Sequence, residues 1–333
     1  MRIAAFSLAL LMMVDTGFAA PKRKARATRN RTAPAAALDT ATVNDPNVGV
    51  GASQSRTPAA LLRAQILLDR AAVSPGEIDA QGGLNFQRAL TAFQLTRSLP
   101  ASGQLDETTW QALNTDTAPA LVPYMISEAD VAGPFENIPA DIMEQAKLKS
   151  LTYRDALESL GEQFHISPAL LKRINAGRNF ATGEEILVPN VLGAVTGKAA
   201  RVVVKKAGTL TAYDPEGKVL AHYPCSSGSE HDPLQVGTWK IIGVAKNPPF
   251  HYNPSLFWDA DPSHSKAKIP PGPNNPVGVV WIDLSKEHYG IHGTPEPSKV
   301  GHTQSHGCIR LTNWDAMELA GLVGPGTPAI LED

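Results

Sequence analysis

The sequence predicts a multidomain α+β chain: a small helical N-terminal domain, a small βααβ-like module and a C-terminal all-β sandwich. Three observations carry this. With 333 residues, 43% of them hydrophobic, the chain is too long for one ordinary domain and apolar enough to bury several cores. Apolar residues recur at helical spacing from Pro58 to about Thr115 and again from Tyr153 to Ile174. After Ala200 they fall instead into short β-rich runs divided by Gly and Pro turns. A net charge of −2 gives no reason to expect a nucleic-acid partner. Two cysteines, Cys225 and Cys308, cannot form a disulfide framework, and Cys225 reads as a small buried strand residue.

Residues 1–20 read as a secretory signal peptide: Arg2, an apolar run from Ile3 to Val14, then Gly17-Phe18-Ala19 as a small-x-small cleavage pattern. The rival reading is a retained membrane anchor, but the run is too short for a span. Export to the periplasm or cell envelope is expected. Residues 21–57, poor in large apolar side chains and carrying Lys22-Arg23-Lys24-Ala25-Arg26, read as a disordered tether.

Residues 58–115 read as three helices. Leu61, Leu62, Gln65 and Leu68 keep helical spacing up to the break at Ser74-Pro75-Gly76, and Ala89, Leu90 and Phe93 mark the second helix. Asp106 is an N-cap for the third, which returns Trp110 and Leu113 to the core. Ile78-Asp79, Gly83, Ala92-Phe93-Gln94, Leu99-Pro100, Ser102-Gly103, Leu105-Asp106 and Thr109-Trp110 together resemble the peptidoglycan-binding type 1 domain. That family's usual glycine after Ile-Asp is Ala80 in this chain.

Residues 116–150, interrupted by Pro119, Pro123, Pro134 and Pro139, read as a linker with one short helix at 140–148. Residues 151–192 hold two amphipathic runs, Tyr153 to Phe164 and Pro168 to Ile174, then a turn at Asn175-Ala176-Gly177 and a closing strand at Glu185 to Pro189. This stretch resembles a LysM-like module, which implies binding to glycan strands; a spacer is the rival reading. Residues 200–333 supply the β-rich runs, with Asp214-Pro215-Glu216-Gly217 as a hairpin turn. Between Lys246 and Pro276, eight prolines accompany Phe250, Tyr252, Phe257 and Trp258, a composition unsuited to core strands and suited to a lid over a site.

The chemistry-bearing stretch runs from Ile291 to Leu311, where Cys308 stands among histidines. A thiol with a pKa of about 8.5 is mostly protonated at neutral pH, so a cysteine nucleophile needs a base or backbone dipoles nearby. His292 is near enough in sequence for a strand and returning loop to deliver that base. Gly307 can take positive φ, so the His306-Gly307-Cys308 backbone can offer amides to an oxyanion. His306 is expected to act through its backbone while its ring fixes the loop. The alternative use of His288, His292, His302, His306 and Cys308 as zinc ligands lacks the usual spacing of ligand pairs, so no metal and no cofactor is expected.

Ile291-His292-Gly293-Thr294 with Ser305-His306-Gly307-Cys308-Ile309-Arg310-Leu311, and Pro270 to Gly278, resemble the YkuD-type L,D-transpeptidase catalytic domain of bacterial cell-wall enzymes. The resemblance implies that Cys308 attacks a tetrapeptide stem between the position-3 diamino acid and D-Ala4. It also implies release of D-Ala from a thioester, acyl transfer to an amine, and inactivation by carbapenems. Implied partners are peptidoglycan stem peptides and glycan strands, with a wall-anchored protein as a further acceptor. Implied substrate contacts are Gly293, Thr294 and Arg310, the last shared with a loop-supporting reading. The rivals are an L,D-carboxypeptidase or endopeptidase and a non-catalytic wall-binding protein.

Overall fold

The computed structural model describes residues 38–49, 56–191, 193 and 195–333. The expected signal peptide, and residues 21–37 and 50–55 of the expected tether, lie outside them. Where the tether is described it is ordered, contrary to expectation. α1 (Thr40–Asn44) is capped by Asp39, which accepts from Thr42 N, and it buries Val43 completely. Asn44 accepts from the backbone N–H groups of Ala120 and Leu121, and Trp110 Nε1 donates to Pro46 O at 2.8 Å. A five-residue helix is too short to show periodicity, and its order comes from partners distant in the chain.

Three helices follow as expected: α2 (Pro58–Arg70), α3 (Leu84–Thr96) and α4 (Glu107–Leu113), the last capped by Asp106 accepting from Thr109 N. Phe86, Leu90, Phe93, Trp110 and Leu113 form their shared core with Ala64, Leu67 and Leu68. Ala80 stands at φ 60, a left-handed conformation that costs a non-glycine residue about 1 kcal/mol. Gln65 Oε1 accepts from Ala80 N at 2.8 Å and holds it there.

The linker expected at 116–150 instead supplies a strand. β1 (Leu121–Met125) pairs antiparallel with β2 (Glu185–Pro189), from Leu121 opposite Pro189 to Met125 opposite Glu185. Pro123 reads as a breaker in sequence, but in a two-stranded ribbon each strand has a free edge where a missing N–H is tolerated. Between these strands lie α5 (Glu128–Val131), α6 (Ile142–Gln145), α7 (Ala156–Gln163) and α8 (Pro168–Ile174). α6 is shorter than the helix expected at 140–148. The stretch around it is a strap: Leu151, fully buried, packs with Tyr252 and Ile269, and Ile138, Ile142, Met143 and Leu148 join them.

The C-terminal part is β-rich but not all-β. Its strands are β3 (Arg201–Lys205), β4 (Thr209–Tyr213), β5 (Val219–Pro224), β6 (Ser226–Ser227), β7 (Gly237–Lys246), β8 (Phe250–Tyr252), β9 (Ala267–Ile269), β10 (Val280–Leu284), β11 (Gly290–His292), β12 (Ile309–Arg310) and β13 (Pro328–Glu332). α9 (Asn313–Leu322) was not expected. Its signal was present: Thr312 caps it by accepting from Asp315 N, a Thr-x-x-Asp pattern before an apolar run. Ala316, Leu319 and Leu322 then enter the main core.

Nine strands run in the order β5-β4-β3-β13-β7-β10-β11-β12-β6. β7 belongs to both halves of this sheet: its first residues pair with β13, and Ile241 to Lys246 pair with β10. Val202, Leu210 and Tyr223 of one half and Ile282, Ile291 and Ile309 of the other bury into one core with α9. β8 and β9 form a separate hairpin with Phe250 opposite Ile269. The expected lid thus has regular structure, because its aromatic residues find a core of their own against the strap.

The helical parts dock on this sheet. His222, on edge strand β5, exchanges backbone hydrogen bonds with Ala72 and Ser74, which covers that edge. Ser74 Oγ donates to Asp315 Oδ2 at 3.1 Å, Tyr223 OH donates to Glu318 Oε1, and the His165 ring stacks on Trp314 while its Nδ1 meets Asp69 Oδ2 at 3.0 Å. Burial pushes Asp315 up to about 8 and Glu318 up to about 7. A carboxyl whose folded pKa is raised stabilises the fold fully below its unfolded value of about 4, and that contribution is lost as pH rises through the folded value. We therefore expect the melting temperature to fall between about pH 4 and about pH 8, and Asp315→Asn to flatten the fall. An equal slope in wild type and Asp315→Asn, by calorimetry, would refute this.

Candidate active site

Strand register assembles the site. In the β10-β11-β12 array, Trp281 lies opposite His292, and His292 opposite Arg310. Directly opposed residues share a face of the sheet, so the three side chains form a row. The Trp281 and His292 rings stack with centroids 5.6 Å apart. The parallel pairing of Ile291 with Ile309 closes the loop between His292 and Cys308, and Cys308 stands immediately before β12. Both side chains line one cavity of about 670 Å³, together with Arg310. Its opposite wall is the lid, with Phe250, Tyr252 and Phe257.

The turn before Cys308 is clamped. Ser305 Oγ donates to Cys308 O at 2.6 Å and accepts from Gly228 N at 2.8 Å, while Ser305 N donates to Gly228 O. Gly307 has φ 99, the left-handed backbone expected of it, and a Cβ there would touch the Tyr289 ring at 3.4 Å. From α3, Asn85 Nδ2 donates to Val300 O at 2.8 Å and Arg88 donates to Gly301 O at 3.2 Å. The His306 ring leaves the turn: its Nε2 meets Asp259 Oδ1 at 2.8 Å, joining loop and lid, and Phe257 and Trp258 pack around it.

Electrostatics keep the thiol and imidazole neutral. His292, 6% exposed, is pushed down to about 4, first by burial and then by the Arg310 charge. Its Nδ1 lies 2.6 Å from Gly293 O. A carbonyl only accepts, so Nδ1 carries the proton and Nε2 keeps its lone pair. The half-buried Cys308 thiol donates to His288 O at 3.7 Å. Burial raises it above the ordinary thiol value, against the Gly290 N–H and the Arg310 charge, which favour the thiolate. The arrangement is a protonated thiol and a neutral imidazole with an unprotonated Nε2 lining one cavity, suited to general-base-assisted attack on a carbonyl.

Residues 199–331 match the family described as "L,D-transpeptidase catalytic domain". The "Putative L,D-transpeptidase YkuD" of Bacillus subtilis (strain 168) is 32% identical over 183 residues, which are 53% of this chain and 96% of that protein. The chain belongs to the L,D-transpeptidase family. A protein of the same name from Bacillus licheniformis is 30% identical over 176 residues, 52% of this chain and 91% of its own. Upstream of the L,D-transpeptidase domain, residues 57–113 match a "Putative peptidoglycan binding domain". A solved structure of an L,D-transpeptidase from Mycobacterium smegmatis aligns with TM-score 0.32 and 22% identity, over 45% of this chain and 66% of that one.

Of the other expected contacts in the L,D-transpeptidase domain, Arg310 lines the cavity, half-buried, and among the described residues its Nε has no hydrogen-bond partner. Gly293 and Thr294 are not in the cavity wall. Gly293 backs the base through its carbonyl, and Thr294, 2% exposed, accepts from Glu296 N at 3.3 Å. β11 ends at His292; Gly293 follows it, with its N–H donating to Val280 O, and Thr294 is buried. Sequence reasoning missed Trp281, Ser305 and Asn313. Ser305 stood inside the motif as a hydroxyl at a turn; Trp281 and Asn313 carried no local signal.

Because Arg310 opposes protonation of His292, Arg310→Gln should raise the pH at which the imidazole charges. The measurement is an NMR titration of the His292 ring, with a wild-type midpoint near 4 that moves upward in the variant. A wild-type midpoint at the ordinary 6.5 would refute the assignment.

Proposed function

We propose that this L,D-transpeptidase acts on the tetrapeptide stem of peptidoglycan, with Cys308 as nucleophile and His292 as general base. The observation that carries the reading is the Nδ1–H tautomer of His292 on the cavity wall that also bears the Cys308 thiol. In the first half-reaction, His292 Nε2 takes the thiol proton as Sγ attacks the carbonyl carbon between the position-3 diamino acid and D-Ala4. The oxyanion faces backbone N–H groups of the His306-Gly307-Cys308 turn. Collapse breaks the C–N bond, His292 returns the proton to the leaving amine, and D-Ala departs from a Cys308 thioester. In the second half, an amine of another stem or of a wall-anchored protein attacks the thioester, His292 takes its proton, and the thiolate leaves and is reprotonated.

Arg310, charged and incompletely bonded at the cavity wall, is suited to a substrate carboxylate. The upstream parts are read as wall-directed: the three-helix unit by its family match, and the β1–β2 ribbon with α7 and α8, despite α5 and α6 inserted after β1, as a LysM-like glycan-binding unit. Export through the N-terminal segment brings the chain to the periplasm or envelope, where such a substrate lies. The alternative fate of the thioester, hydrolysis, makes the enzyme an L,D-carboxypeptidase and is distinguished by its products.

The test is incubation with a disaccharide tetrapeptide and a second stem, read by D-Ala release and intact mass. Cys308→Ala should abolish both D-Ala release and the mass shift given by a carbapenem. Cys225→Ala, which changes a fully buried thiol whose pKa burial raises to about 12, should retain both. Equal loss in the two variants would overturn the nucleophile assignment, and D-Ala release with no new amide would select the carboxypeptidase.

A further inference from the structure

The side chain behind the base is anchored from outside the catalytic domain. Asn313, 2% exposed, opens α9, and its Oδ1 accepts from Val279 N at 3.1 Å. This fixes which end of the amide is which, since a backbone N–H requires an acceptor. The amide lies flat against the strands: a Cβ placed on Gly293 would fall 2.3 Å from Asn313 Oδ1, and one on Gly278 only 2.0 Å away. Two sites without side chains thus admit the amide to the backbone of the residue whose carbonyl holds His292 Nδ1.

The other end of the amide points out of the domain. Asn313 Nδ2 donates to Glu162 Oε1 at 2.8 Å and Oε2 at 3.1 Å, and to Pro273 O at 3.1 Å. Glu162 belongs to α7 of the upstream module, and Tyr153 OH donates to its Oε2 at 3.4 Å. Burial pushes the Glu162 carboxyl up to about 8. Such burial is costly for a group that serves only to glue two surfaces.

We propose that Glu162 is a positioning residue for the reaction: it holds the Asn313 amide against Gly293, and so keeps the His292 ring in the Nδ1–H tautomer that leaves Nε2 free to take the thiol proton. This rests on the assignment of His292 as the base. Without Glu162, the Asn313 amide loses its strongest acceptor, the Gly293 peptide loses its backing, and the imidazole can place its proton on Nε2. In that tautomer the ring cannot accept from Cys308.

The experiment compares wild type, Glu162→Ala, Glu162→Gln and Ser74→Ala in the full chain. Ser74→Ala removes the Ser74–Asp315 contact of the same seam without touching Asn313. We expect Glu162→Ala to lower kcat for D-Ala release about tenfold or more with little change in KM, as a small misplacement of a reacting group does. The downfield Nδ1–H resonance of His292 should weaken in the same variant. Glu162→Gln, whose amide oxygen still accepts from Asn313, should restore both, and Ser74→Ala should lower the melting temperature alone. Should Glu162→Ala fail to fold, Glu162→Met fills the buried space without offering Asn313 an acceptor, and it should show the same losses. The proposal is overturned if the folded variant keeps wild-type kcat and His292 resonance, or if Ser74→Ala lowers kcat as much. Absence of D-Ala release in wild type would sink the functional reading, yet the His292 resonance would still decide this one.

Discussion

The hydrogen bond from His292 Nδ1–H to Gly293 O, 2.6 Å long, is the constraint on which the site depends. An imidazole can act as base only through the nitrogen that lacks the proton, and a carbonyl beside Nδ1 decides which one that is. It does so without a carboxylate, so no anion draws the ring toward the charged form. Burial and Arg310 then hold the imidazole neutral, and Trp281 stacked on its face fixes the plane. Trp281 and Arg310 sit at register positions of β10 and β12 opposite His292 on β11, and Gly293 follows β11 directly. The nine-stranded sheet therefore determines the base geometry more than the loop carrying the motif does.

The two flanks of the site are held by parts of the chain far upstream. Asn85 and Arg88 on α3 grip Val300 and Gly301 in the loop that leads to Cys308. Glu162 on α7 grips Asn313 behind the base. The strap between α6 and α7 grips the lid, with Leu151 N donating to Pro271 O and Asn274 N donating to Leu151 O. Residues 57–113, which match a "Putative peptidoglycan binding domain", thus hold the catalytic loop within this fold. A deletion of the helical parts would remove support from both flanks of the site.

What the sequence made legible was what lies close along the chain. Cys308, Gly307 and His292 stand in one short stretch, the helices α2, α3, α4 and α8 show their own periodicity, and α2, α4 and α8 carry caps. What it hid depends on distant partners. β1 exists because β2 pairs with it, and α1 because Asn44 and Val43 find partners beyond the first helices. Glu162 and Asn313 are separated by 151 positions, and neither carries a pattern that announces the other. α9 and α5 were readable elements overlooked, since the Thr312-x-x-Asp315 and Ser127-x-x-Asp130 caps were in plain view. Gly293 and Thr294, expected to touch substrate, lie outside the cavity wall, since β11 ends at His292.

A neutral thiol and a neutral imidazole at rest have a consequence for how such an enzyme spends its time between substrates. Burial disfavours both charged forms, so the thiolate–imidazolium pair is not the ground state. Proton transfer must then accompany the attack on the carbonyl, when the developing oxyanion compensates the imidazolium charge. A standing thiolate would react faster, but it would also be oxidised faster, because the thiolate is the species that peroxides attack. In the exported setting proposed here, no cytosolic thiol pool restores an oxidised cysteine. The lid adds to this protection: Asp259 holds the His306 ring, and Phe257 and Trp258 pack beside it, next to the turn that bears Cys308. Reactivity is thereby kept latent in the folded site and expressed when a stem peptide supplies the carbonyl that makes charge separation favourable.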